Sequence, residues 1–369
     1  MSRPTRRNVI GAGAAATVGA VAAAVPTSAP AQSGGKAAWK LSRAVAGSRD
    51  AVTGPLDEMA KDVASLTGDS FRLTISEAAE QDATTVVAQV GKAEIAAALV
   101  DPAAAFADAP AAAILGGAPF GLNARLHAAW LADRRGLALI NEVLGQRGLM
   151  AIPCGATGAA MGGWFQAEVT GADGFNGLKI AISGLGAGVM RRLGAEPVAL
   201  APKDIPAAFA AGQIGAAVWG QPYDDESLRL YQSASVLHYP GWWNGAGQLA
   251  LIVNKAAYDA LTEAQRTALT TAAAAANAKI LARYDSQNPA ALRRAVASGA
   301  RLQPYGEAML DACFAAARAE MDAIAAKDGA FKEVLASMNA MRRDGYLWMQ
   351  LAETTFDTYM MIQQRKQTL

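Results

Sequence analysis

The chain has 369 residues, which is long enough for two ordinary domains, and its hydrophobic content of 52% is ample for two cores. It carries 33 Lys and Arg residues against 32 Asp and Glu residues. This near balance argues against a nucleic-acid partner, and the composition argues against disorder.

The N-terminal segment, residues 1–31, has the pattern of a twin-arginine signal peptide. An arginine pair precedes an apolar run from Gly11 to Val25, and a small-x-small cleavage site follows at Ala29–Ala31. We therefore expect export to the periplasm by the twin-arginine route. An uncleaved membrane anchor is the alternative, although the run is short for a bilayer span.

Strands and helices alternate in the first half of the mature chain. Apolar runs predict strands at 39–41, 71–75, 95–100 and 149–154, and helical spacing predicts helices at 55–66, 83–91 and 125–145. This β-α-β order implies a parallel sheet with helices on its faces.

A glycine-rich bend at 155–163 leads into a second alternating unit. Its predicted strands are at 178–183, 197–200 and 216–219, with one helix after Gly188 and another at 205–211. A strand at 249–253 then carries the chain back. A helix at 255–286 is long enough to link two lobes, and helices at 289–297, 307–326, 331–343 and 346–363 complete the chain.

This order predicts an α/β fold of the two-lobed periplasmic binding protein type (type II-like), with a hinge, a long bridging helix and a helical C-terminus. Lobe I is predicted to comprise residues 36–158 plus 250–305. Lobe II is predicted to comprise residues 159–249 plus 306–345. Residues 346–369 are predicted to form a C-terminal helix that mediates dimerisation.

The stretch from Ala216 to Asp225 is predicted to form the edge of a ligand cleft. A short apolar strand runs into Trp219, and Gly220 and Pro222 then break the run. Open α/β sheets bind ligands at the carboxyl ends of their strands. The carboxylates of Asp224 and Asp225 are interpreted as a helix N-cap in preference to a site.

Tryptophans next to glycines form the most informative group of candidate ligand walls. They are Trp164, Trp219, Trp242 and Trp243, each at a predicted strand or loop edge. Packing of one or two of them in the core is the alternative.

The chain shows no catalytic or metal-binding constellation. His127 is interpreted as a surface or packing residue, whereas His238 lies beside the densest aromatic cluster and is a candidate pocket residue. Neither histidine has a partnered nucleophile, and the spacing of Cys154 and Cys313 fits no zinc site. Two separately buried thiols are preferred over a disulfide.

Ser183 opens a glycine-rich segment that ends at Gly188, and this segment follows a predicted strand. Its spacing is not that of a dinucleotide-binding loop. A small-molecule contact and a plain tight turn stay open as alternatives.

Four segments carry a resemblance to a known family: Cys154–Phe165, Gly177–Ile180, Trp219–Asp225 and Tyr239–Trp243. They closely resemble the extracytoplasmic solute receptors of TRAP transporters, in the DctP-type branch that binds 2-oxo acids and is labelled mannitol/chloroaromatic compound transport. The resemblance implies two lobes that close on a small organic solute. It also implies a homodimer through the helical C-terminus and a membrane permease that uses a sodium gradient.

The ligand site departs from the pattern of that family. Relatives place an Arg at the position of Ala181, where it pairs with the substrate carboxylate. They place a Gln and a Glu at Ala160 and Val218, where these help to hold a cation, and often an acidic residue at Asn244. We therefore hypothesise that this receptor does not bind a 2-oxo acid with a metal, and that its pocket takes a neutral or more apolar solute.

The expected ligand-binding residues lie in and around the second alternating unit. They are Trp164, Ala160, Ala181, Ser183, Val218, Trp219, Gln221, His238, Trp243 and Asn244, and Gln248 is a further polar candidate. We predict no catalytic residue, no metal site and no cofactor. A degenerate receptor with a sensory or scaffolding role is the alternative function. A third alternative is an enzyme on the same scaffold, but the sequence shows no catalytic pair of residues.

Overall fold

A computed structural model describes residues 35–45, 50–77 and 82–366. The predicted signal peptide at 1–31 lies outside these described residues. Within them, no helix combines the length and the apolar character that a membrane crossing requires.

Eleven strands are assigned in the described part of the chain. They are β1 (Ala37–Ala44), β2 (Phe71–Glu77), β3 (Ala97–Val100), β4 (Leu149–Ala156), β5 (Gly163–Phe165), β6 (Lys179–Ala181), β7 (Glu196–Val198), β8 (Ala216–Ala217), β9 (Val236–Tyr239), β10 (Gln248–Asn254) and β11 (Arg301–Pro304).

The same ranges contain fifteen α-helices. They are α1 (Asp50–Leu66), α2 (Ala83–Gly91), α3 (Pro102–Ala105), α4 (Pro110–Ala113), α5 (Ala124–Asp133), α6 (Gly136–Gly145), α7 (Gly184–Arg192), α8 (Ile205–Ala210), α9 (Pro222–Leu228), α10 (Leu230–Ser233), α11 (Lys255–Asp259), α12 (Glu263–Ala297), α13 (Glu307–Ala325), α14 (Gly329–Met349) and α15 (Thr355–Arg365).

The first sheet has the strand order β2-β1-β3-β10-β4. Strand β1 pairs in parallel with β2 and β3, which confirms the parallel arrangement predicted from the β-α-β order. Strand β10 returns antiparallel between β3 and β4. All seven residues of β10 are buried, as expected for a central strand covered by a hydrophobic cluster on each face.

The second sheet has the order β11-β9-β5-β8-β6-β7. Strand β6 pairs in parallel with β7 and β8, while β5 is antiparallel to its neighbours β8 and β9. Two hydrophobic clusters pack against the second sheet. The predicted two-lobed α/β architecture is confirmed in these two sheets. The exact lobe boundaries stay a prediction, and Arg301–Pro304 pairs with the second sheet.

A long helix, α12, packs on the first sheet and also contacts α9 beside the second sheet. Its 35 residues span about 52 Å at 1.5 Å per residue. It begins at a capping box, in which Thr262 and Gln265 bond each other's backbone N-H groups. The two helices predicted at 255–286 and 289–297 are wrong in their bounds, because α11 ends at Asp259 and α12 continues through Pro289. Within a helix, a proline removes one backbone hydrogen bond.

Two further predicted helix boundaries were wrong for identifiable reasons. The helix predicted at 125–145 is two helices, because Arg135 adopts a left-handed backbone with φ of 61° between α5 and α6. At Gly136, a Cβ atom would lie 2.5 Å from the Trp130 ring, so only glycine permits this close turn. Helix α1 begins at Asp50 and includes Pro55, which was expected to open it.

Candidate functional site

Two chain segments run side by side where the chain passes between the sheets. The Thr157 N-H donates to the Gly247 carbonyl at 2.8 Å, and the Ala160 N-H donates to the Asn244 carbonyl at 3.2 Å. The Gly241 N-H donates in turn to the Ala160 carbonyl at 3.1 Å. We call these paired segments, residues 156–162 and 239–247, the crossover.

Of the three positions where the resemblance predicts a changed residue, Ala160 lies in the crossover, and Ala181 and Val218 lie at the ends of β6 and β8. The Val218 N-H donates to the Ala181 carbonyl at 2.8 Å, so the ends of β6 and β8 are adjacent. A Cβ atom at Gly163, three residues after Ala160, would lie 3.0 Å from Cγ2 of Val218. Ala160 and Val218 both pack against the hydrophobic cluster on one face of the second sheet, whereas Ala181 is buried in the cluster on the other face.

Asn244 fastens the crossover to a loop of the first sheet. Its Nδ2 donates to the Gly116 carbonyl at 3.1 Å, and its Oδ1 accepts from the N-H groups of Ala246 and Gly247 at 3.0 and 2.9 Å. Gly117 has φ of 121°, and a Cβ atom there would lie 2.2 Å from Asn244 Oδ1. The Asn244 side chain thus joins the crossover to the part of the chain that builds the first sheet.

The start of α7 forms the neighbouring wall. This helix begins at Gly184 with Ser183 as its N-cap residue, so the glycine-rich segment is the first turn of a helix and not a loop that ends at Gly188. The Ser183 side chain is exposed and makes no capping hydrogen bond. A Cβ atom at Gly184 would lie 3.0 Å from the Ala103 carbonyl oxygen, which brings α3 of the first half against α7.

Trp219 and Gln221 follow β8 at the same edge. The Trp219 side chain is half-buried, and Gln221 is buried. Nε2 of Gln221 donates to Thr157 Oγ1 at 3.2 Å, while its buried Oε1 has no partner among the described residues. The Gln221 amide therefore ties the edge of β8 to the crossover and leaves one acceptor for a solute or water.

Trp164 has a specific partner that the sequence did not reveal. Its Nε1 donates to Asp225 Oδ2 at 2.8 Å, so this N-H is not available to a ligand. Burial raises the pKa of Asp225 to about 7, against the opposing hydrogen bonds from Trp164 and the Gly220 N-H. Asp224 accepts from the Tyr284 hydroxyl of α12 at 3.1 Å.

The N-cap interpretation of Asp224 and Asp225 was therefore wrong. Gln221 is the N-cap residue of α9, and both carboxylates lie in the first turn, buried and hydrogen-bonded to aromatic side chains.

Trp242 and Trp243 lie at the end of the crossover with their rings 5.0 Å apart in an edge arrangement. Both are buried, and neither indole N-H has a partner among the described residues. The Cβ of Trp243 lies 3.4 Å from a Cβ position at Gly186, which places this tryptophan beside the first turn of α7.

His238 lies in the core of the second sheet and not on a pocket wall. Its ring stacks on Tyr305 at 4.6 Å and meets Phe165 edge-on at 4.8 Å. Its Nε2 accepts from the Val169 N-H at 3.3 Å, and burial lowers its pKa to about 4. A neutral imidazole packed in this way is a structural residue.

His127 is buried as well, with its Nε2 2.9 Å from the Leu115 carbonyl oxygen, which fits the packing role predicted for it. Gln248 is also already satisfied, because its Nε2 bonds the Gly155 carbonyl and Asn277 Oδ1. Cys154 and Cys313 are both free and buried, and burial raises the pKa of each thiol to about 12.

Sequence reasoning missed the contributions of the first half, namely Ala103, Gly116 and Gly117. The partner of Gly116 is Asn244, which is 128 positions away, so no local pattern could connect them.

The two sheets, the crossover and the bridging helix define a two-lobed solute-binding protein of the periplasmic type. Residues 43–328 match the model of the bacterial extracellular solute-binding protein family 7, DctP. The chain belongs to this family of TRAP transporter receptors.

Named relatives agree with this assignment. A monocarboxylate 2-oxoacid-binding periplasmic protein of Nostoc is 37% identical over 250 residues, which cover 68% of this chain and 69% of that protein. A TRAP transporter solute binding protein of Bordetella bronchiseptica is 30% identical, with a TM-score of 0.86 over 90% of this chain and 99% of that chain. It is described as a mixed occupancy dimer with copurified calcium and picolinate at one active site and an apo second site.

A third relative shares the fold. A TRAP periplasmic solute binding protein of Colwellia psychrerythraea, with bound calcium and pyruvate, has a TM-score of 0.83 at 23% identity, over 88% of this chain and 99% of that chain. Membership of the DctP family, and not this fold likeness, makes the protein a solute receptor and not an enzyme. Receptors of its kind are periplasmic and work with membrane permeases.

Proposed function

We propose that this receptor derives from the 2-oxo acid branch but captures a neutral or more apolar solute. The observation that carries the proposal is a group of three methyl-bearing residues: Ala160 and Val218 pack against one hydrophobic cluster, and the Ala181 carbonyl accepts from the Val218 N-H. No side chain in that group can donate to a carboxylate or ligate a cation.

Neither a cation nor a carboxylate finds a partner among these methyl-bearing side chains. Relatives of this branch, by the resemblance described above, use an Arg for the carboxylate and a Gln and a Glu for the cation. A charge enclosed in a closed cleft costs several kcal/mol, of the order of 3–5, when its partner is removed. Losing both partners at once leaves a 2-oxo acid without compensation.

The remaining polar groups at the crossover suit a neutral solute. The Trp243 indole N-H is an unused donor, and Gln221 Oε1 is an unused acceptor. The half-buried Trp219 offers an apolar face at the same edge. A neutral molecule with one acceptor, one donor and a flat apolar part meets these groups without an unpaired charge.

We further propose twin-arginine export, on the N-terminal sequence pattern, and a homodimer formed through the C-terminal helix. The dimer is supported by the large apolar side chains exposed on the last helix and the turn before it. A sensory or scaffolding role without transport is not favoured.

Titration calorimetry with matched pairs of acid and amide tests the ligand class. The probes are picolinate and picolinamide, and pyruvate and pyruvamide, each with and without calcium or sodium. The proposal predicts no binding of either acid and no effect of the cation. Micromolar binding of pyruvate or picolinate that requires the cation would overturn it.

A further inference from the structure

Helix α9 carries two adjacent buried carboxyl groups that bond to different parts of the molecule. Asp224 accepts from the Tyr284 hydroxyl at 3.1 Å, and Tyr284 belongs to a hydrophobic cluster of the first sheet. Asp225 accepts from the Trp164 indole N-H at 2.8 Å, and Trp164 belongs to a hydrophobic cluster of the second sheet. The peptide bond between Asp224 and Asp225 is therefore a boundary between the two lobes.

Further contacts tie the two ends of α9 to different lobes. The Tyr223 N-H donates to Asn288 Oδ1 of α12 at 3.2 Å, and the Tyr223 hydroxyl bonds Asp50 of α1. The Tyr223 ring packs against the same cluster of the first sheet. Leu228 at the other end of α9 packs against the cluster that contains Trp164. One short helix is therefore held by both lobes.

The bridging helix α12 passes from one lobe to the other beside α9. Its Tyr284 lies in the cluster of the first sheet, whereas Leu292 and Ala295 pack in the cluster of the second sheet. Pro289 lies between them, and a proline inside a helix removes one backbone hydrogen bond and favours a kink. We therefore expect a change of angle between the lobes to bend α12 next to α9 and to strain the contacts of α9.

The lobes are in contact in the described structure. A Cβ atom at Gly184 of α7 would lie 3.0 Å from the Ala103 carbonyl oxygen of α3. In this closed arrangement Asp225 is 3% exposed, its Oδ2 accepts from Trp164, and its Oδ1 accepts from the Gly220 N-H at 3.3 Å. Movement of Trp164 away from α9 would admit water to this carboxyl group.

The titratable groups near Asp225 lie on α9 and on the two helices that pack against it. They are Tyr223, Asp224 and Glu226 on α9, Tyr231 on α10, and Arg283, Tyr284, Asp285, Arg293 and Arg294 on α12. Burial and then the charge of Asp224 raise the pKa of Tyr284, so this side chain stays a hydroxyl donor. Glu226 is paired with Arg294 at 3.0 Å. Strands β5 and β8 carry no titratable side chain.

The proton of Asp225 depends on its burial. Burial raises the pKa of Asp225 to about 7, although the hydrogen bonds from Trp164 and Gly220 favour the charged form. Water would return the pKa towards its ordinary value of about 3.9 when the lobes separate. The closed lobes then bind a proton that the separated lobes release. The ratio of closed to separated lobes therefore falls as the pH rises, by at most about 80-fold between pH 5 and pH 8.

We propose that Asp225 is a positioning residue that makes closure of the lobes, and with it solute capture, depend on pH. As a neutral acid it holds Trp164 against α9, and as an anion it favours the separated lobes. This rests on the proposed receptor function and adds a regulation of the same cleft. The chemical class of the solute does not enter, because the test uses no solute.

Single-molecule energy transfer measures the separation of the lobes. Leu66→Cys on the first lobe and Glu196→Cys on the second are exposed and carry the dyes, whereas the two native cysteines are buried. A large excess of unlabelled protein keeps labelled copies apart in any oligomer. The dyes are placed in the wild-type background, in Asp225→Asn, and in Asp311→Asn, a matched control at an exposed aspartate of α13.

We expect the ratio of separated to closed molecules to rise about 10-fold or more from pH 5 to pH 8 in the wild-type background and in Asp311→Asn. The ratio should change less than about twofold in Asp225→Asn, because its amide does not ionise. A ratio that is independent of pH in the wild-type background would overturn the proposal. An equal rise in Asp225→Asn would assign the pH dependence to another group and overturn it as well.

The indole N-H signal of Trp164 reports the ionisation of Asp225 itself. In ¹H-¹⁵N spectra of the unmodified protein, with the signal assigned through Trp164→Phe, we expect it to shift with a midpoint near pH 7. This measurement and the wild-type energy transfer do not require that Asp225→Asn folds. An indole that titrates while the lobes stay unchanged would show that ionisation does not move the lobes, and would refute the coupling. Binding of pyruvate or picolinate would overturn the proposed solute class and leave this test unaffected.

Discussion

The buried carboxyl of Asp225 makes a pH dependence of stability measurable. Its pKa is raised from 3.8 to about 7, mainly by burial. In the unfolded chain an aspartate titrates near its ordinary pKa of about 3.9. The stabilisation that Asp225 contributes as a neutral acid is therefore complete below about pH 4 and is lost as the pH rises through about 7.

The size of this change in stability follows from the difference in proton binding between the folded and unfolded states. Between the two pKa values, the unfolded state ionises while the folded state stays protonated, so the free energy of unfolding falls by up to about 1.4 kcal/mol per pH unit. From pH 5 to pH 7 this amounts to about 2 kcal/mol from this group, allowing for the approach to the folded pKa.

The perturbation is Asp225→Asn, which keeps an oxygen to accept from the Trp164 indole but cannot ionise. Urea unfolding at pH 5, 6, 7 and 8 gives the stability of both proteins. We expect the wild type to lose about 2 kcal/mol relative to the variant between pH 5 and pH 7. Other titrating groups cancel in this difference. Parallel pH profiles would refute the raised pKa.

Three further predictions follow from other contacts. Asn244→Ala removes hydrogen bonds to the backbone of both halves and should lower the free energy of unfolding by about 1–3 kcal/mol in urea titrations, whereas an unchanged midpoint would contradict the joining role. Gly117→Ala should destabilise the protein strongly in thermal unfolding because its Cβ would meet Asn244, and Gly306→Ala, with nothing within 4 Å, should not. The thiols of Cys154 and Cys313 should react with a thiol reagent only after urea unfolding, because both are buried, and rapid labelling of the native protein would contradict their burial.

Much of the fold could be predicted from the sequence because periodicity and turn residues are local signals. Helix α2 was predicted with both of its ends, and the apolar runs of β4 and β10 were found in place. The errors occur where contacts between residues distant in the sequence determine where a helix begins or ends. The break before Gly136 depends on the Trp130 ring, and α7 begins inside a glycine-rich segment that packs against α3 and α13.

The candidate site could be predicted only in part. The strand predicted at 216–219 is present as β8, but it ends at Ala217, two residues earlier than predicted. The roles of individual side chains were not predicted. His238 and Asp225 differ from expectation because their partners, Tyr305 and Trp164, are more than 60 positions away.

The most direct test of the proposed change in the ligand site is to introduce at Ala160, Ala181 and Val218 the residues that the family resemblance implies for relatives. The triple variant Ala160→Gln, Ala181→Arg and Val218→Glu is titrated with picolinate in calcium buffer beside the wild type. The account predicts cation-dependent binding in the triple variant and none in the wild type. Equal binding in both proteins would show that the three methyl-bearing residues do not determine the ligand, and would contradict the central claim.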